Sequence, residues 1–339
     1  MAKPARPESD RNERRFSPQP DTMTSSASPI DLSVIIVNWN TASMTLECLE
    51  SLYANTAACR VEVIVVDNGS QDGSADRIIQ TFPNVTLIRN RDNRGFAAAS
   101  NQGIETAQGG YLLLLNSDTI VCDGVLERLI ACLDDHPEVG IVGPRLVDGE
   151  GRLQLSARKF PTLRSALFEA LHLHMLFPRS RVFGDQLLSW WDHRAERSVD
   201  FVEGSSLLVR RVVVDQIGLL DTGYFMYSED VDWCWRARRA GWTVAYLPEA
   251  SIIHLGGGSG YRRSPKLALE ACKSKIRFHE KCYGATSASL LKFILLLGAA
   301  LRLARLWMLS TVTARRAGDA TAKEKQGLRE SIAYLWRER

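Results

Sequence analysis

The sequence predicts an α/β protein with a Rossmann-like, mostly parallel central sheet, flanking helices and a C-terminal helical extension. Three observations lead there. Short apolar runs recur at 32–37, 61–66 and 111–115, and runs this short and this apolar mark strands buried on both faces. Between them lie stretches with helical spacing, such as Met44, Leu46, Cys48, Leu49 and Leu52, and this alternation implies parallel strands joined by helical crossovers. Each run also ends in polar residues: Asn38-Trp39-Asn40, Asp67-Asn68-Gly69-Ser70 and Asn116-Ser117-Asp118. Open sheets bind ligands beyond the carboxyl ends of their strands, so these three clusters should converge on one edge.

Residues 1–30 are rich in Pro, Ser, Arg and Asp without an apolar run, which reads as a disordered tail lacking the core of a secretory signal. Strand 32–37 is followed by a helix over 41–53 and strand 61–66. The alternation continues with a helix near 73–81, strand 85–89, a helix over 95–106, strand 111–115 and a helix over 124–133. From 152 to 200 the pattern loosens around Pro161 and Pro178, predicting a variable excursion outside the core sheet. Regular patterning returns at 201–210. A helix opens within 224–232 and ends at Gly241, and a strand over 242–247 leads into Ile252-Ile253-His254. The organisation expected is a tail (1–30), a main domain (31–265) with a nucleotide-binding part (31–150) and an acceptor or catalytic part (151–265), and a helical extension (266–339).

Within the extension, 290–309 is apolar but carries Lys292, Arg302 and Arg305. It is too short and too charged for the span of about 20 apolar residues that a bilayer requires. It suits a helix lying in the membrane interface, a helix packed on the domain being the alternative. The whole chain has 339 residues, 45% of them hydrophobic and 24% charged, with a formal net charge of +3. That is enzyme-sized and globular, and its charge makes no case for a nucleic-acid partner. Seven scattered cysteines without a CxxC pair favour a reducing compartment, the cytoplasm.

Four groups of residues carry candidate chemistry. Asp118, directly after a buried strand, can hold Mg²⁺ or Mn²⁺ together with substrate phosphates, or can cap the next helix. Asp67, with Asn38 and the aromatic face of Trp39, can hold a base and ribose, although Asp-Asn-Gly-Ser is also strong turn chemistry. Glu229, Asp230 and Asp232 lie at a helix start, where ionised carboxylates are favoured and one of them could act as general base. His254 precedes Gly256-Gly257-Gly258 and offers an imidazole to a Mn²⁺-type ion. The loop after the first strand, Asn38-Trp39-Asn40-Thr41-Ala42, has no glycine, which argues against a dinucleotide oxidoreductase and a nucleotidyltransferase alike.

Over residues 32–258 the chain resembles the family 2 glycosyltransferases of GT-A fold, in particular their bacterial rhamnosyltransferase-like branch. The resemblance rests on Ser33-Val-Ile-Ile-Val-Asn-Trp-Asn40, Val65-Val-Asp-Asn-Gly-Ser70, Asn93-Arg-Gly-Phe-Ala-Ala-Ala-Ser-Asn-Gln-Gly103, Leu114-Leu-Asn-Ser-Asp118, Gly143-Pro-Arg145, Phe225-Met-Tyr-Ser-Glu-Asp-Val-Asp232 and Ala240-Gly-Trp242. It implies an inverting transferase that takes a sugar, L-rhamnose from dTDP-rhamnose as the best match, from a nucleoside-diphosphate donor to a hydroxyl of a lipid-linked or polysaccharide acceptor. The enzyme would work on the cytoplasmic face of the membrane as a peripheral protein.

By the same resemblance Asp67 binds base and ribose, Val37 and Trp39 lie beside the base, and Asn93 and Arg94 line the nucleotide site. Asn116, Ser117 and Asp118 form an NxD variant of the family's DxD motif. Asn116 stands where the first acidic residue would be, which leaves Asp118, helped by His254, to hold a divalent metal. Asp230 is the implied catalytic base, with Glu229 and Asp232 as secondary residues near the acceptor. A catalytically silent glycan-binding or scaffold protein of the same fold is the competing reading.

Overall fold

A computed structural model describes residues 30–56, 59–256, 265–312 and 319–337. Of the expected tail at 1–30 only Ile30 is among them, and the glycines Gly257 and Gly258 lie outside. In chain order the elements are β1 (Leu32–Asn38), α1 (Ala42–Ala54), β2 (Val61–Asp67), α2 (Ser74–Thr81), β3 (Thr86–Arg89), α3 (Phe96–Thr106), β4 (Tyr111–Asn116), β5 (Thr119–Val121), α4 (Val125–Asp135) and β6 (Val139–Val147). There follow β7 (Leu153–Gln154), β8 (Ala157–Arg158), α5 (Leu163–Ala170), α6 (Leu173–Leu176), β9 (Arg197–Val199), β10 (Phe201–Val202), β11 (Ser206–Arg210) and α7 (Arg211–Ile217). The chain then forms α8 (Glu229–Arg239), β12 (Thr243–His254), α9 (Pro265–Tyr283), α10 (Ala285–Val312) and α11 (Asp319–Arg337).

The main sheet runs β3-β2-β1-β4-β11-β6-β12-β5. Its first four strands are mutually parallel, and β6 and β12 are parallel to each other. Between these blocks β11 inserts antiparallel to both β4 and β6. The unbroken apolar strands work because successive side chains face opposite ways. Ile35, Ile64, Val66, Leu112 and Leu114 enter one core with α3, α7 and α8. Val34, Ile36, Val63, Val65, Leu113 and Leu115 enter the other, under α1, α2 and α4. At roughly 25 cal/mol per Å² of apolar surface removed from water, a sheet filled on both faces is the main source of cohesion.

Two expectations are corrected. The stretch 152–200 does contribute to the core sheet: β7 pairs with β6, and β9 lies antiparallel on the first half of β12. Such short strands show no period of their own; the open edges of their neighbours recruit them. The apolar stretch at 290–309 is also part of a longer helix, α10, whose segment Ala285–Met308 is long and apolar enough to cross a bilayer by length and composition. One side of α10 nevertheless packs against the protein, where Ala288 and Leu291 join Cys272 and Ile276 of α9 and Leu335 of α11 in a small separate core. The extension is stitched to the main domain through Phe278 of α9, fully buried in the main core and edge-on to Trp235 at 5.9 Å.

Candidate active site

The register of the parallel strands brings the polar clusters together: Asn38 lies opposite Asp67, and Val37 opposite Asn116. Asn38 is fully buried and acts as a bracket. Its amide nitrogen donates to Asp67 Oδ1 at 2.6 Å and to Ser70 Oγ at 3.1 Å, while its oxygen accepts from Thr41 at 2.8 Å and Thr45 at 2.7 Å. Every polar atom of its side chain is thus engaged inside the protein. Asp67 is also buried, and its Oδ2 accepts the Ser70 N–H at 3.2 Å.

Asn68 organises the next loop. It donates to Asn93 Oδ1 at 3.0 Å and to the Gly95 carbonyl at 3.2 Å, and accepts from Asn90 at 3.0 Å and from the Arg94 backbone N–H at 3.1 Å. Gly95 is required where it stands: its φ is +85°, and a Cβ would come within 2.5 Å of the Phe225 carbonyl oxygen. That oxygen accepts the Phe96 N–H at 2.7 Å, so the loop before α3 is tied to the segment leading into α8. In the sequence Asn68 reads as a turn residue, although it lies within Val65-Val-Asp-Asn-Gly-Ser70.

Asp118 follows β4, and His254 ends β12. The antiparallel pairing of β5 with β12 sets Thr119 opposite His254, and the Leu255 N–H donates to the Asp118 carbonyl at 2.9 Å. His254 Nε2 lies 3.3 Å from Asp118 Oδ1. The other ring nitrogen, Nδ1, is 2.8 Å from Gln154 Oε1, while Gln154 Nε2 donates to the His254 carbonyl at 2.7 Å. That second bond orients the amide, so Nδ1 must be the donor to Oε1 and carry a proton. Nε2 is thereby left to face Asp118 Oδ1, and the two atoms form a pair of donors that a cation could share. A carboxylate and an imidazole are suitable donors for Mn²⁺, and Gln154 is the kind of outer partner that orients a ligating histidine. Among the described residues no cluster of three or more His, Cys, Asp or Glu side chains is placed to hold a metal, so the protein offers Asp118 and His254 as a pair. Gln154 lies in the aperiodic excursion, where no sequence signal singled it out.

Asp230 sits in the first turn of α8. Its Oδ2 accepts the Gly204 N–H at 2.7 Å and its Oδ1 the Val231 N–H at 2.8 Å. Glycine eases this approach, because a Cβ on residue 204 would lie in tight contact, 3.2 Å, with that of Asp230. Tyr227 and Ser228, just before the helix, both hold left-handed backbone at φ +71° and +65°, a strain that costs of order 1 kcal/mol or more for each and turns α8 into the site. Burial raises the Asp230 carboxyl above the ordinary range, against the two backbone N–H groups that lower it; Glu203 pushes the same way as burial. Glu203 is itself paired with Arg158. Glu229 is buried with one carboxylate oxygen lacking a hydrogen-bond partner, and burial followed by repulsion from Asp230 pushes its carboxyl well above the usual range. Asp232, two residues on, turns instead towards α9, bonding Arg236 at 2.9 Å and Lys281 at 2.8 Å; it lines neither cavity described next.

Two cavities adjoin here. One of about 300 Å³ is lined by Val37, Trp39, Asn93, Asn116, Ser117 and Asp118 among others. The second, about 500 Å³, contains Glu229, Asp230, Arg158 and Glu203. They share Phe96, Asn116, Met226, Tyr227 and His254 as a common wall. Asn38, Asp67 and the exposed Arg94 are not among the lining residues; the first two lie behind the smaller cavity.

Residues 33–188 match the family described as glycosyl transferase family 2, and residues 111–317, more than half the chain, match glycosyl transferase family group 2. The chain belongs to the family 2 glycosyltransferases. An N-acetylglucosaminyl-diphospho-decaprenol L-rhamnosyltransferase of Mycobacterium tuberculosis is 33% identical to this family member over 208 residues, 57% of this chain and 66% of the relative. A hexosyltransferase of low-salt glycan biosynthesis from Haloferax volcanii is 27% identical over 228 residues, 66% of this chain and 67% of the relative. The match to the mycobacterial proteins therefore spans just under two thirds of their length. In fold, the chain is similar to a mannosyltransferase from Pyrobaculum calidifontis solved with GDP-mannose and Mn²⁺, with a TM-score of 0.57 at 18% identity over 96% of this chain and 92% of that one. It is similar too to GalNAc-T7 solved with UDP, GalNAc and Mn²⁺, with a TM-score of 0.56 at 16% identity over 91% and 56%. The architecture of this family 2 glycosyltransferase is that of the GT-A transferases.

Proposed function

We propose that this protein is an inverting glycosyltransferase that moves a sugar from a nucleoside-diphosphate donor to a hydroxyl of a lipid-linked glycan, with dTDP-L-rhamnose as the donor. The observation that carries the reading is the shared wall: Asp118 and His254 face the smaller cavity, Asp230 faces the larger, and His254 and Asn116 belong to both. The likeness to the mycobacterial rhamnosyltransferase supports the donor and the lipid-linked acceptor.

In this reading Val37, Trp39 and Asn93 bound the nucleoside, with Arg94 at the rim and Asp67 at the base and ribose, held in place by Asn38. Asn116 and Ser117 flank the donor diphosphate. Asp118 and His254 would hold a divalent cation, Mg²⁺ or Mn²⁺, whose charge offsets that of the departing diphosphate. Asp230 accepts the proton of the acceptor hydroxyl as that oxygen attacks the anomeric carbon from the side opposite the nucleotide, so the configuration inverts in one displacement. Glu229, buried beside it, adds an acceptor or donor for the incoming sugar. The exposed apolar side of α10 supports peripheral contact with the cytoplasmic face of a membrane.

The test is release of nucleoside diphosphate from a panel of dTDP- and UDP-sugars, with membrane extract supplying acceptors, in Mn²⁺ and in chelator. Asp230→Asn should lower kcat by about 10²–10⁴-fold, the usual share of a general base, while nucleotide binding persists. Nucleotide binding without release from any donor would favour the silent scaffold instead.

A further inference from the structure

The larger active-site cavity continues past Asp230. A third space, of about 580 Å³, lies among α5, α9, α10 and α11, and shares Ala166, Glu169, His174 and Lys275 with that cavity. Its volume is in the range of spaces that hold small ligands. The walls include Ala271, Cys272, Leu295, Leu306, Leu328 and Leu335, an apolar surface with no role in binding a nucleotide or a sugar. Polar groups gather at its two ends. At the junction Lys275 is held by Glu169 at 2.8 Å beside His174; at the other end Arg305 and Arg302 contribute, Arg302 bonded to Glu324 at 2.7 Å.

An apolar space that starts at a polar junction next to a catalytic cavity fits an amphiphile, with its charged head at the junction and its hydrocarbon beyond. The two sides of α10 fit the same occupant. Leu295, Gly298, Ala299 and Arg302 line the space, whereas Leu290, Phe293, Leu297 and Leu301 are 52%, 64%, 37% and 44% exposed. A chain leaving between the helices therefore emerges beside an apolar surface flanked by arginines, the combination that attracts a lipid headgroup layer.

We propose that the space among α5, α9, α10 and α11 receives the first part of the hydrocarbon chain of a lipid-diphosphate-linked acceptor, whose diphosphate rests at the junction by Lys275 and His174. This rests on the lipid-linked acceptor proposed above and adds the place where its chain is held. Length of the lipid then becomes a determinant of acceptor affinity, with no effect on the donor.

The experiment fills the space from two different helices, with Ala271→Trp on α9 and Leu328→Trp on α11, in the full chain. KM is measured for a long-chain prenyl-diphosphate sugar and for an analogue whose lipid is a single isoprene unit, too short to pass the junction. Each variant should raise KM for the long-chain acceptor about tenfold or more, the scale of an apolar-pocket mismatch, and leave the short-chain and donor KM unchanged. Equal effects on both acceptors, or none, would overturn the proposal. A readout independent of turnover uses farnesyl diphosphate carrying a diazirine on its terminal isoprene. Photolabel should enter cavity-lining positions within residues 166–175, 265–308 and 324–337 and vanish in Ala271→Trp; label confined to Phe293 and Leu297 or to residues outside the cavity overturns the assignment. Loss of transferase activity with labelling intact would count against the proposed reaction and leave the lipid site standing.

Discussion

Asp230 can take a proton only when ionised, and burial holds its carboxyl above the ordinary carboxylate range despite two backbone N–H donors. The sign for activity follows directly. As the proposed base, Asp230 is competent above its pKa and is lost as pH falls through it, so the acid limb of kcat/KM should lie above the pH of about 4 that an unperturbed aspartate would set. A pH profile with a limb at or below that value would remove Asp230 from the base role. A second residue-level prediction concerns Gln154, which fixes the protonated side of His254. Gln154→Leu should leave the fold intact and weaken Mn²⁺ binding in the presence of nucleotide by about 10–100-fold, the usual effect of losing an outer partner. Calorimetric titration of Mn²⁺ into the nucleotide-bound protein measures it. Asp118 and His254 could be picked out in the sequence because each stands where an apolar run stops, and Asp230 because it opens a helix. Gln154 and Arg158 could not, because the chain around them has no period and their partners lie 100 and 45 positions away.

Helix α8 divides its acidic first turn between two tasks. Asp230 faces the cavity, while Asp232, about 200° further around a helix of 3.6 residues per turn, faces α9. There Lys281 bonds both Asp232 and Asp221, the latter at 2.8 Å, and Arg277 bonds Asp221 at 2.9 Å. Although burial works against it, the hydrogen bonds from Lys281 and Arg277 hold the Asp221 carboxyl well below the usual range. The cluster fastens the extension to the catalytic domain. Asp232→Asn removes a fully buried charge from it and leaves two partly exposed cations that can return to water. The cost should be about 2–3 kcal/mol, at or below the lower end for breaking a buried pair. Urea unfolding measures that loss, and KM for the donor should stay unchanged because Asp232 lines neither cavity.

At the scale of the whole molecule, α10 carries the proposed meeting with a membrane-bound acceptor. Its inner side closes the apolar space, and its outer side presents Leu290, Phe293, Leu297 and Leu301 to solvent. Extended apolar surface is a common mark of interaction sites, and the partner proposed for this one is a membrane. The double substitution Phe293→Glu with Leu297→Glu should abolish co-sedimentation with anionic vesicles and slow turnover of membrane-embedded acceptor, while a short-chain soluble acceptor reacts at the wild-type rate. Equal binding of both proteins to vesicles would place the membrane contact elsewhere or nowhere.

What the sequence by itself determined was which segments are buried strands, where each stops, and which polar residues stand at the stops. These are local properties, written in the alternation of apolar and polar side chains along a few residues. Tertiary structure alone decided which stops meet. Insertion of antiparallel β11 between β4 and β6, and return of β12 onto β5, bring His254 to Asp118 across more than a hundred residues. The same folding turns Asp232 away from Asp230 and encloses an apolar space behind the site. Such proximities depend on strand order and helix packing, in which each contact is chosen by every other, and no window of neighbouring residues contains them.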